Sequence, residues 1–363
     1  MQKHPLRDPW LLLLVGLVLA FKIFAESPAR VEQMYSNGIY PPFSRALRAV
    51  LSPLPFSLGD LLYFAAGALI AWGLFRLFRS AWRRQLRSRL GWPLLVRGLK
   101  GGLIVYLVFQ AFWGLNYSRE GIARQLDLLP ARADTARLEA LAELLQARLC
   151  TWGDRVDSLR RLRLEHNDSL FAGTIASYRN TESRFPFLRY RNPCLKPSLY
   201  SGVGHLFGFT GYYNPFSGEA QVNTAVPVFL RPFVACHEVA HQLGYGKENE
   251  ANFVGFLAAR HSTDPEFRYS AYYEMYLYTL RELAAADPLK AVALRRTAHP
   301  QVRKDYRAYL AYLHAHRNRM EPLVSRVYDQ YLKMNQQAHG IETYDEVVLW
   351  LLAYMRKYGE AAI

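Results

Sequence analysis

Three apolar runs dominate the first third of the chain: Trp10–Ala25, broken only by Lys22, then Leu61–Phe75, then Gly101–Tyr117. Each is slightly shorter than the roughly 20 residues that cross a bilayer, and flanking aromatics with long basic side chains supply the missing length. The pattern predicts three transmembrane helices, at about residues 10–26, 58–78 and 99–117. They would make residues 1–117 a membrane anchor and leave 118–363 as a separate domain outside the bilayer.

Beyond Asp134 the apolar positions recur at helical spacing, through Ala136–Cys150 and Val156–Arg179. Between Pro197 and Thr224 glycines and prolines alternate with aromatic and β-branched residues, among them Leu206, Phe207, Phe209, Tyr212 and Val222, which predicts short strands and turns. Helical periodicity returns after Pro227, with breaks at Asp264-Pro265, Asp287-Pro288, Glu321-Pro322 and Gly340. The run Val347–Met355 is too short to span a bilayer and reads as the buried face of a helix. The expected fold is α+β but mostly α, with a small sheet.

With 51% hydrophobic and 21% charged residues, the chain is not a disordered one. Its net charge of +15 first suggests nucleic acid or an anionic membrane surface. The distribution decides against nucleic acid. Eight basic residues (Arg76, Arg79, Arg83, Arg84, Arg87, Arg89, Arg97 and Lys100) crowd residues 76–100 without one acid, between two apolar runs, and no nucleic-acid-binding module accompanies them. The loop from Glu26 to Asp60 carries only three basic residues. By the positive-inside rule the N-terminus and the 76–100 loop are cytoplasmic, and everything after the third run is extracytoplasmic. Reading the first run as a cleaved signal peptide still leaves residues from about 118 onward extracytoplasmic. Three cysteines exclude a disulfide scaffold, although Cys150 and Cys194 are a pair that an oxidising compartment could join.

The segment carrying the chemistry is Cys236-His237-Glu238-Val239-Ala240-His241, an H-E-x-x-H pattern. On a helix His237 and His241 stand one turn apart on one face, so both imidazoles reach one ion, and Glu238 lies beside them. Two neutral imidazoles suit zinc, and a catalytic zinc takes a third protein ligand while keeping a position open to water. Gly244 and Gly246 close the helix, and a second begins near Lys247. Glu248 and Glu250 compete for the third position. Asn252 shares the face of Glu248, whereas Glu250 is about 200° away round the helix. Gly255 falls near the same face, and without a side chain it lets the two helices approach closely. Asn252 can then hydrogen-bond the far nitrogen of a ligand histidine. A metzincin-like reading through Gly244 fails because Lys247 occupies its third-ligand position.

H-E-x-x-H followed by Glu248-Asn249-Glu250-Ala251-Asn252 resembles the gluzincin branch of the zincin metallopeptidases. Gly211-Tyr212-Tyr213-Asn214-Pro215-Phe216-Ser217-Gly218-Glu219-Ala220 and Val327-Tyr328-Asp329-Gln330-Tyr331-Leu332-Lys333, with three N-terminal spans, resemble a bacterial membrane family of unassigned function regarded as candidate zinc peptidases. The resemblance implies a zincin-like domain with an active-site helix, Zn2+ held by His237, His241 and Glu248, Glu238 as general base and Asn252 behind the ligands. It also implies a bacterial inner-membrane location.

The expected activity is hydrolysis of a protein or peptide by a membrane-anchored zinc peptidase, with the lipid bilayer as its other partner. The reading from another class is a membrane sensor or scaffold whose metal is structural. Catalysis needs an oxyanion donor, and His205, Tyr212, Tyr213, Tyr272, Tyr273 and Tyr276 are all available. Glu219–Asn223 reads either as the edge strand that pairs with substrate or as an ordinary hairpin strand. Cys236 reads as a buried free thiol.

Overall fold

A computed structural model describes residues 8–83, 91–129, 133–204, 208–318, 321–335 and 346–363, with Gln337 and Gly340. His205, Leu206 and Phe207 lie outside the described residues, as do Arg84, Arg87 and Arg89. Helices dominate, beside one three-stranded sheet.

Helix α1 (Pro9–Ala25) opens with Asp8 accepting from the Trp10 and Leu11 amides and with Pro9 in its first turn. A bend of 97° separates it from α2 (Pro28–Leu51), whose stretch Val31–Ile39 is wound as a π-helix. Helices α3 (Leu58–Trp82) and α4 (Trp92–Phe112) are each long and apolar enough to cross a membrane. The third apolar run therefore starts helical earlier than expected and stops at Phe112. Gly114–Ser118 is a buried 3-10 turn instead of the end of a span.

The rest of the chain folds round one core. Helix α5 (Thr135–Gly153) starts at an Asp134 cap. The expected single helix over Val156–Arg179 is two, α6 (Ser158–Arg163) and α7 (Asn167–Glu182), because Asn167, Asp168 and Ser169 favour a turn and a fresh start over helix interior. Strands β1 (Leu195–Pro197), β2 (Gly211–Asn214) and β3 (Glu219–Val222) follow. The order is β1-β3-β2, with β1 parallel and β2 antiparallel to β3; Ala220 aligns with Leu195 on one side and with Tyr213 on the other. Segment 219–222 is thus the central strand, flanked on both sides, and cannot be the edge that pairs with substrate. β2 lies at the edge.

Helices α8 (Arg231–Gln242) and α9 (Glu248–Arg260) form the centre of the core. Every residue of α8 from Pro232 to Gln242 is buried, including its polar ones, because the sheet, α7, α9 and α10 (Pro265–Ala286) enclose it on all sides. α10 also packs on α5. Asp264 and Asp287 cap α10 and α11 (Pro288–Thr297) at the expected Asp-Pro breaks. Helices α12 (Pro300–His316), α13 (Glu321–Met334) and α14 (Val347–Tyr358) complete the chain, with Val347, Val348, Leu351 and Leu352 of α14 buried as its pattern predicted. All three cysteines are free, so Cys150 and Cys194 are not joined, and Cys236 is fully buried.

Candidate metal centre

α8 sets His237 and His241 one turn apart, their Nε2 atoms 3.1 Å from each other and their rings perpendicular at 89°. From the first residue of α9, Glu248 brings Oε2 to 3.3 Å from His237 Nε2 and 3.5 Å from His241 Nε2. Two donors on one tetrahedral ion, bonded at about 2.0–2.1 Å, stand about 3.3–3.4 Å apart. Three lone-pair atoms converging at that spacing in a buried place suit a cation between them. His237, Glu238 and His241 likewise offer donor atoms within 4.8 Å of one another, so the cluster could hold a metal ion.

The approach of α9 depends on small residues. Gly244 takes φ +88°, the left-handed turn that ends α8, and a Cβ on Gly255 would lie 3.0 Å from the Cα and N of His237. His241 donates from Nδ1 to the Tyr245 carbonyl across 2.7 Å, because a carbonyl can only accept, and this leaves Nε2 as the bare nitrogen. Asn252 hydrogen-bonds His237. Tyr328 Oη donates to Glu248 Oε1 at 3.0 Å, and Gln337 Oε1 accepts from the Glu248 amide. Glu250 points away, over Gly121 and toward Lys247.

Burial raises the Glu238 carboxyl to about 8. Burial also opposes protonation of both imidazoles. In His237 it prevails and lowers the pKa, whereas in His241 the charges of Glu248 and Glu238 outweigh it and lift the value to about 9. Burial works to raise Glu248 too, yet His241 and His237 hold it well below the usual carboxylate range.

These groups face a pocket of about 300 Å³ whose walls come from distant parts of the chain: Tyr63 of α3, Phe109 of α4, Trp113, Tyr117, Gly211, Tyr212 and Tyr213 of β2, and Tyr328 and Tyr331 of α13. Glu238 Oε2 is buried with no hydrogen-bond partner among the described residues. Gly211 is where β2 runs against it, since a Cβ there would sit 2.5 Å from Glu238 Oε1. Of the tyrosines considered as oxyanion donors, Tyr212 and Tyr213 line the pocket, but Tyr212 bonds Asp60 and Ser198, and Tyr213 pairs with Tyr40. Tyr272 donates to the Ile363 carbonyl and Tyr276 to Gln146, away from the centre.

The sequence analysis missed what fastens the end of α8. A helix leaves its last carbonyls unpaired, and here the N-terminal third of the chain satisfies them. Trp113 Nε1 donates to the His241 carbonyl at 3.0 Å, Tyr40 Oη and Arg48 Nη1 each donate to the Gln242 carbonyl at 2.9 Å, and Arg119 Nη1 donates to the Gly244 carbonyl at 3.0 Å. The buried Arg48 cation also complements the negative end of the helix dipole. The sequence offers little hint of this: Trp113 lies inside the third apolar run, Tyr40 and Arg48 lie midway between the first two, and only Arg119 stands just past a run.

A family described as protein of unknown function (DUF3810) matches residues 35–352, from within α2 to within α14. The chain belongs to this family. The DUF3810 match thus takes in α3, α4, the pocket walls and the whole metal cluster. Searches of curated proteins and of solved structures give no significant match.

Proposed function

We propose that the protein is a membrane-anchored, zinc-dependent metallopeptidase of zincin type. The observation that carries this reading is the convergence of His237 Nε2, His241 Nε2 and Glu248 Oε2 within 3.1–3.5 Å of one another, beside a pocket into which Glu238 faces. In this assignment His237, His241 and Glu248 hold the ion, and Asn252, Tyr328 and the Tyr245 carbonyl orient its ligands. A bound zinc supplies Lewis acidity and brings the pKa of a coordinated water toward neutrality. Glu238 is the proton carrier: its side chain lines the pocket, its buried Oε2 has no hydrogen-bond partner among the described residues, and the carboxylate takes a proton from water and passes it to the departing amine. A purely structural metal site would not need such a carboxylate beside an open pocket.

In the same reading α1, α3 and α4 are spans of a bacterial inner membrane, and the metal centre lies on the extracytoplasmic side, opposite the basic stretch 76–100. The test combines metal analysis with cleavage of an unbiased peptide library. Purified protein should contain about one zinc per chain; Glu238→Gln should keep the metal and lose cleavage. Loss of metal, or an unchanged cleavage rate, overturns the assignment.

A further inference from the structure

We infer that the substrate is a polypeptide segment anchored in the same bilayer, entering the pocket sideways between α3 and α4 and cut close to the membrane surface. The inference rests on the peptidase reading and names its substrate class.

Three observations lead to it. First, the pocket is lined by the spans themselves. Tyr63 lies about 7.5 Å along α3 from its pocket-side end, and Phe109 about 4.5 Å from the matching end of α4. At 25 residues α3 is about 37 Å long against about 30 Å of hydrocarbon, so both side chains sit where lipid tails meet headgroups, the level that aromatic rings favour.

Second, the two spans do not close on each other. α4 packs along α1, tied by Lys100 Nζ 2.8 Å from Asp8 Oδ2. α3 makes no comparable contact with either among the described residues, and every residue from 61 to 79 is exposed. Its first turn alone is clamped: the Glu219 carboxylate accepts from the Gly59 amide at 2.6 Å, the Leu58 amide at 3.1 Å and Ser57 Oγ at 3.2 Å, while Asp60 accepts from the Leu199 amide and from Tyr212. A span fixed at its foot and free along its length leaves a lipid-facing gap, and the pocket lies at the gap's pocket-side end.

Third, the lining suits a chain arriving from lipid. Tyr63, Phe109, Trp113, Tyr212, Phe216 and Tyr331 form an aromatic wall leading to the buried carboxylates and imidazoles. Water has to be present only at Glu238, where one molecule is consumed as the peptide bond yields a carboxylate and an amine.

The test uses the full chain in vesicles of phosphatidylethanolamine and phosphatidylglycerol, and it has two arms. Vesicles doped with a phospholipid bearing a photoreactive acyl chain should label Trp113, Tyr212 or Phe216 inside the pocket as well as the outward-facing Leu69 and Ile104. Label on Leu69 and Ile104 alone overturns the lateral opening, whatever the protein catalyses. The second arm presents one peptide library twice, free and joined to a 20-residue apolar membrane segment. Anchored peptides should be cut at least about tenfold faster, within about ten residues of the anchor. Equal rates overturn the inference and leave the peptidase reading standing, whereas cleavage of neither form sinks both.

Discussion

Gly255 lies against the backbone of His237 so closely that a Cβ added to it would stand 3.0 Å from both the Cα and the N of that histidine. The neighbour is backbone, which cannot swing aside, so any side chain must push α9 away from α8. Glu248 rides on α9 and the imidazoles on α8, and a shift of 1 Å already exceeds the ±0.2 Å tolerance of a metal–ligand bond. Gly255→Ala is expected to cost about 1–3 kcal/mol in stability by overpacking and to weaken zinc binding. Gly255→Val should abolish binding. Calorimetric zinc titration of the two variants checks this, and wild-type affinity in the valine variant would disprove the close-approach argument.

Tyr328 reaches Glu248 from α13, its hydroxyl 3.0 Å from the oxygen that does not face the histidines. A bond to that oxygen fixes the carboxylate's rotation, and losing such support typically costs a metal site roughly ten- to hundredfold in affinity. Tyr328→Phe should therefore bind zinc at least about tenfold more weakly with little change in melting temperature, since the residue is 37% exposed. A competition assay with a chromophoric chelator measures it.

The heart of this site was legible because its chemistry is local in sequence. Histidines four apart on one helix, glycines that end it, and a carboxylate, an amide and a glycine on one face of the next helix leave little freedom, and Gly244, Glu248, Asn252 and Gly255 lie where those constraints put them. The pocket was not legible. Its walls join Tyr63 and Trp113 to Tyr212 and Tyr331, and although 211–220 and 327–333 stand out as motifs, nothing local shows that they converge with the apolar helices. Strand order was not legible for the same reason: β3 gains its second neighbour from β1, three residues long and ending in Pro197, a segment with no strand signature of its own. The helix interruption at 164–166 also escaped, since the amphipathic pattern continues across it while the backbone turns.

The metal-free form should lose stability as pH rises, and the stabilisation that zinc adds should grow over the same range. His241 is raised from 6.5 to about 9 in the folded protein, so the stability it contributes without metal is complete below pH 6.5 and is lost as pH rises through 9. Glu238, raised from 4.5 to about 8, acts in the same direction between those values. Zinc replaces the proton on His241, so its stabilising effect grows over the interval in which that proton must be displaced at lower pH, by about tenfold in apparent affinity per pH unit. Thermal melts from pH 6 to 9 should show the chelator-treated protein losing stability and the zinc-induced rise in Tm widening. A pH-independent rise would remove His241 from the ligand set.

In the proposed topology the position of the N-terminus follows from that of the metal centre. Tyr40 and Arg48 of α2 donate to the Gln242 carbonyl, so residues 28–57 lie on the same side of the bilayer as the centre, and the adjoining ends of α3 and α4 lie there too. In the proposed topology, with Lys3 and Arg7 cytoplasmic by the positive-inside rule, α1 would cross the membrane before the 97° bend into α2. At 17 residues α1 covers about 25 Å, short of about 30 Å of hydrocarbon, and Trp10 and Lys22 near its two ends can make up the difference by reaching to the interfaces. A fluorescent reporter that matures only in the cytoplasm should therefore glow when fused before Met1 and stay dark when fused after Ser52 or Ser118. A phosphatase reporter that folds only outside should show the reverse, with no activity after Trp82. Fluorescence from the Ser52 fusion would place the metal centre in the cytoplasm and overturn the sidedness.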